Sequence, residues 1–66
     1  MKIQNKEYIV IMCEPIRQLA LTQPRLARIL RENSIVKRLY VQSTETNQYF
    51  VVDQHQSGNF GKVTPA

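Results

Sequence analysis

Leu21-Thr22-Gln23-Pro24-Arg25-Leu26-Ala27-Arg28-Ile29-Leu30 decides the fold, because it settles whether the first half of the chain holds one helix or two. A helix continuing unbroken from Ile16 would place Pro24 in its interior, at a cost of about 3 kcal/mol. With Thr22 capping a new helix, the proline falls in the first turn, where its missing N–H is no loss. The segment therefore reads as two helices joined by a tight turn. The first covers Glu14 to Leu21, with Ile16, Leu19 and Ala20 on one face. The second runs to about Asn33, where Asn33-Ser34 is a stop.

At 100° per residue, Leu26, Ile29 and Leu30 of the second helix share a side. Arg25, Arg28 and Arg31 lie opposite, with Ala27 at the seam. The stretch Arg25 to Arg38 holds Arg25, Arg28, Arg31, Lys37 and Arg38 against the single Glu32. The formal net charge of +4 is thus concentrated there, since the other basic and acidic residues balance. A charge excess confined to one helix and the strand after it predicts a docking face for an anion, with nucleic acid the obvious long one.

Outward from this region, Lys6 to Cys13 is rich in β-branched residues and reads as a strand, apolar on both sides from Tyr8 onward. A helix capped by Asn5 is the alternative. Ser34–Gln42 and Gln48–Asp53 read as a hairpin across Ser43–Asn47, with Asn47 suited to a left-handed turn position. Residues 55–66 contain both glycines and little periodicity, and are expected to form a flexible tail after a single domain over residues 1–54. The predicted class is α+β: an N-terminal strand, two short helices and a C-terminal β-hairpin. An alternative β-α-β-β arrangement puts the first strand beside the hairpin in one sheet under a single helical layer.

Sixty-six residues make one small domain with a thin core. Cys13 is the sole cysteine and His55 the sole histidine, so neither an internal disulfide nor a metal site of Cys/His spacing is expected. Self-association is the expected source of the missing stability. The apolar run Tyr8–Cys13 is too short for a signal peptide or a membrane span, which predicts a soluble, cytoplasmic chain. No phosphate loop, carboxylate pair or nucleophile beside a histidine occurs, so no enzyme, cofactor or small-molecule substrate is expected. Cys13 reads as a small buried hydrophobe and His55 as a solvated residue of the tail.

Leu19, Ala20, Leu21, Leu26 and Ile29 have the spacing of the apolar positions of a helix-turn-helix. The string Leu21 to Leu30 resembles the recognition-helix segment of small Cro-type phage repressors and winged-helix regulators. The likeness is close over about 15 residues and looser over residues 16–53. Three departures stand out: Ala20 occupies the turn position of glycine, Ile16 replaces a small residue where the helices touch, and a strand precedes the motif instead of a helix. The resemblance implies a dimeric transcriptional regulator, a repressor of phage or plasmid type, on a palindromic duplex DNA site. Its second helix would enter the major groove, with Gln23 facing adenine and Arg25 or Arg28 facing guanine. Arg31, Lys37 and Arg38 would hold phosphates. Tyr49, Val51 and Phe60 would make the dimer contact. Two other readings remain open at this point. A small interaction module would inhibit a host protein by setting the basic helix against an acidic surface, and an RNA-binding protein would stack bases on Tyr40, Tyr49 and Phe50.

Overall fold

A computed structural model describes all residues, Met1 to Ala66. The chain forms a small α+β domain. Its elements are β1 (Lys2–Ile3), β2 (Lys6–Pro15), α1 (Ile16–Leu19), α2 (Pro24–Glu32), β3 (Ile35–Ser43), β4 (Tyr49–His55) and β5 (Phe60–Pro65). The five strands make one antiparallel sheet in sequence order. The first long strand lies beside the hairpin, as in the β-α-β-β alternative, while the helical region is the two-helix unit that Pro24 dictates. No helix is long and apolar enough to cross a membrane.

Tight turns set the meander. Gln4 and Asn5 both have positive φ, 52° and 65°, the backbone of a two-residue hairpin turn whose hand matches strand twist. Asn47, with φ 61°, takes the left-handed position expected of it in the β3–β4 turn. Ser34, with φ 63°, reverses the chain after α2, and the Asn33 side-chain amide donates to the Ile29 carbonyl at 2.9 Å.

Residues 55–66 are not a tail. Phe60–Pro65 pairs with β4, Val63 opposite Val52 and Phe60 opposite Gln54, and both apolar side chains pack on the sheet core. A bulge between these pairs breaks the alternation that would have marked a strand. His55 ends β4 opposite Ile35 and is half-buried. Cys13, expected inside, is exposed near the open end of β2.

Two separate cores hold the molecule. Ile3, Tyr8, Leu39, Val41 and Val52 form one on the inner face of the sheet, with Phe50, Phe60 and Val63 against it. Tyr8 and Phe50 meet edge to face, ring centres 5.9 Å apart. Ile16, Leu19, Ala27, Leu30 and Ile35 form the other, which joins both helices to the start of β3.

Register determines what the outer face carries. Ile9, Gln42 and Tyr49 make one row across β2, β3 and β4; Met12, Tyr40 and Val51 make the next; Glu14, Arg38 and Asp53 make a third. Neither core covers this face.

Candidate nucleic-acid interface

α2 begins where its sequence demands, with Pro24 at the first helical position. Thr22 does not cap it. Its hydroxyl donates back to the Leu19 carbonyl at 3.4 Å, while Gln23 is the N-cap residue and makes no side-chain capping bond. Thr22 therefore closes α1, and the proline alone marks the start of α2.

The helix is rotated from the orientation expected of it. Ala27 and Leu30 are its buried residues and Leu26 is half-buried, whereas Ile29 is 55% exposed. The contact with α1 uses the small Ala27 at its centre, because two backbones approach closely only over a short side chain. Leu21, expected as an anchor of the turn, is 76% exposed. Ala20 is right-handed, φ −62° and ψ −22°, so it bears none of the left-handed cost that a glycine would have spared. α1 is a single turn of four residues. The helix pair thus differs from the helix-turn-helix pattern in its turn and in the length of its first helix.

Rotation changes what α2 presents. Arg25, Arg28 and Arg31 are all exposed, and none is within 4.0 Å of a carboxylate. Glu32 lies one turn after Arg28 without forming an ion pair, and Ile29 lies beside Arg25 on the same outward arc. Gln23 is exposed at the N-terminal end of the helix, and Arg17 of α1 is also exposed and unpaired.

The strand part of the basic cluster divides. Lys37 and Arg38 are consecutive, so they point to opposite faces of the sheet. Lys37 is half-buried and free of ion pairs, in the inner-face row with Pro15 and Gln54. Arg38 is engaged: its Nε donates to Asp53 Oδ1 at 2.8 Å and its Nη2 donates to Oδ2 at 3.2 Å. The hydrogen bond donated to Asp53 raises the guanidinium pKa against the opposing effect of burial. Arg38 is therefore a structural cation and leaves the set of phosphate-holding residues. The sequence signal for this was Asp53 itself, but only the β3–β4 register makes the two partners.

The residues expected at a dimer contact do not lie together. Tyr49 and Val51 are on the outer face, whereas Phe60 packs into the inner core. The stacking trio divides likewise. Phe50 is on the inner face, the Tyr40 hydroxyl donates to Glu14 Oε1 at 3.2 Å, and only Tyr49 is open. Burial pushes the Tyr40 phenol above its usual range, with the Glu14 carboxylate adding to the shift. Glu14, Arg38 and Asp53 form one charged row of the outer face, and its single guanidinium is taken up by Asp53. The unpaired arginines, Arg17, Arg25, Arg28 and Arg31, thus all lie on α1 and α2.

A shallow polar cleft of about 410 Å³ lies between Ser34, His55, Gln56 and Ser57. It is wide open, and none of these four residues is hydrophobic. No protein-family model matches the chain, and no curated protein or solved structure matches it either.

Proposed function

We propose that this protein binds duplex DNA through α2 and regulates transcription as a pair of chains. The observation that carries the reading is the state of the charges. Three arginines of one short helix are solvated and unpaired, while the Arg38 side chain of the same cluster is withdrawn into an ion pair. Guanidinium groups spaced along an exposed helix match phosphate and guanine edges, and a helix of this length fits the major groove.

Gln23 and Arg25, at the N-terminal end of the helix, are the candidates for base edges. Arg28 lies one turn along, and Ile29, exposed one turn after Arg25, suits a thymine methyl group. Arg31, Lys37 and Arg17 supply sequence-independent phosphate contacts. Cro-type resemblance supports the same assignment for the helix, although the one-turn α1 and right-handed Ala20 mean that α2 would be presented at its own angle.

Salt-titrated binding to mixed duplex DNA tests the proposal. Affinity should fall linearly with log salt, with a slope near −0.9 per phosphate contacted. No retention of duplex at about 50 mM salt, where such contacts are strongest, overturns it.

A further inference from the structure

We infer that the cleft between the α2–β3 turn and the β4–β5 turn is a phosphate subsite. Ser34, His55, Gln56 and Ser57 form it, and its ligand is a backbone phosphate of the duplex engaged by α2. The source of the phosphate rests on the DNA reading, whereas the subsite rests on the cleft.

The cleft is a fixed frame with free donors. The Gln56 N–H donates to the Ser34 carbonyl at 2.8 Å and ties the two turns together. The β4–β5 turn is fastened within itself. The His55 N–H donates to the Asn59 carbonyl at 2.8 Å, the Gly58 N–H to the His55 carbonyl at 2.9 Å, and the Gln54 side-chain amide to the Gly58 carbonyl at 2.9 Å. Gly58, with φ 95°, supplies the left-handed residue that this turn requires. β5 backs the imidazole, since a Cβ on Gly61 would stand 3.8 Å from His55 Nε2. Within this frame the Ser34 hydroxyl, the His55 ring and the Gln56 side-chain amide make no hydrogen bond to the rest of the chain. Ser57 Oγ accepts from the Asn59 N–H at 3.4 Å, which leaves its own proton to donate outward.

Chemistry narrows the ligand. No lining residue is hydrophobic, so the cleft offers nothing to an apolar molecule. None is a carboxylate, so nothing draws in a cation, and one imidazole is too few to hold a metal. Arg31 stands one tight turn before the cleft, its carbonyl accepting the Ser34 N–H at 3.0 Å, and its guanidinium is exposed and unpaired. Lys62, next to Gly61, is exposed and unpaired as well. Glu32, the nearest acidic residue in sequence, does not line the cleft. The last carbonyls of a helix repel an anion, but here Ile29, Leu30 and Arg31 already accept from Asn33 or Ser34. Hydroxyl, amide and imidazole donors beside a guanidinium suit an oxyanion.

Shape and position identify where that oxyanion comes from. A free small molecule is held where most of its surface is buried, and this cleft is wide open. A phosphate carried on a polymer needs an open trough, because the strand must enter and leave. α2 rises about 10 Å from Arg25 to Glu32 at 1.5 Å per residue, against a major groove roughly 8.5 Å deep. With Arg25 at the base edges, the far end of the helix and the cleft beyond it come level with the flanking phosphates.

Nuclear magnetic resonance of the isotope-labelled chain separates the subsite from its source. Inorganic phosphate, titrated against chloride at constant ionic strength, should shift the amides of Ser34, Gln56 and Ser57 and the His55 ring, saturably and in the millimolar range. Ser57→Asp should abolish these shifts and Ser57→Asn should retain them. Both variants keep an acceptor for the Asn59 N–H, so charge alone distinguishes them. On mixed duplex, the slope of log affinity against log salt should be shallower by about 1 for Ser57→Asp than for Ser57→Asn. Duplex binding that leaves the cleft signals still, with equal slopes for the two variants, overturns the inference and leaves the DNA reading standing. Phosphate shifts spread over the lysines and arginines, with none concentrated in the cleft, also overturn it. Saturable shifts in the cleft of a chain that retains no duplex uphold the subsite for free phosphate, while the duplex source falls with the DNA reading.

Discussion

Arg38 and Asp53 join β3 to β4 through two hydrogen bonds of 2.8 and 3.2 Å, with their side chains 20% and 24% exposed. A forked guanidinium meeting a carboxylate edge-on is the stronger kind of ion pair, and here both partners are substantially withdrawn from water. It also separates two arginine classes that look identical in sequence.

Arg38→Ala should therefore act on folding. It leaves Asp53 without its partner and is expected to cost about 2 kcal/mol, read as a fall in the urea midpoint. DNA affinity of the fraction that remains folded should change little. A loss of affinity equal to that of a helix arginine would return Arg38 to the interface.

Arg28→Ala should show the opposite pattern. Its side chain is solvated and makes no ion pair, so stability should stay within about 0.5 kcal/mol of the parent. If Arg28 holds a phosphate, the slope of log affinity against log salt should become shallower by about 1. If it reads guanine, discrimination at one base pair should fall by about 1–3 kcal/mol instead. Unchanged binding on both counts removes Arg28 from the contact.

Ala27→Leu tests the orientation of α2. Ala27 is 1% exposed between the helices, so three added carbons should force them apart at about 1–3 kcal/mol. Ile29→Ala, on the open side, should cost well under 1 kcal/mol. If the Ile29 change proves the more damaging to stability, the helix packs by its other face.

Tyr40 gives the molecule an alkaline limit. Its phenol holds its proton more tightly folded than unfolded, because burial and the Glu14 carboxylate both disfavour the phenolate. The stabilisation is complete below the unfolded pKa of about 10 and is lost as pH rises through the higher folded value. Urea midpoints between about pH 8 and 11.5 should decline more steeply for the parent than for Tyr40→Phe. Parallel declines would show that other groups carry the effect.

The legible parts of this fold were those fixed by local backbone chemistry. Pro24 marked the start of α2, Asn33-Ser34 its end, and Asn47 a left-handed turn residue. β2 was legible because Ile-Val-Ile favours extended backbone. What stayed hidden depends on partners distant in sequence. β5 escaped because a bulge and Gly61-Lys62 interrupt its alternation, and Phe60 and Val63 become strand residues only beside β4. The α2 orientation escaped because a helical wheel weighs Ile29 above Ala27 by hydrophobicity, whereas close contact with α1 selects the small residue. Arg38 escaped because its partner is 15 residues away across a register that sequence pattern does not specify.

The separation of the two cores implies unequal dynamics. The helix pair has a core of five residues in which Ile35 is the one strand residue, while the strands share a ladder from β2 to β5. Such a unit can open without the sheet unravelling. Amide protons of α2 should therefore exchange with solvent sooner than those of β3 and β4, through excursions costing less than global unfolding. The proposed reading surface would then belong to the softer half of the molecule, and an anion docked across its arginines would lengthen the life of the helix that holds them.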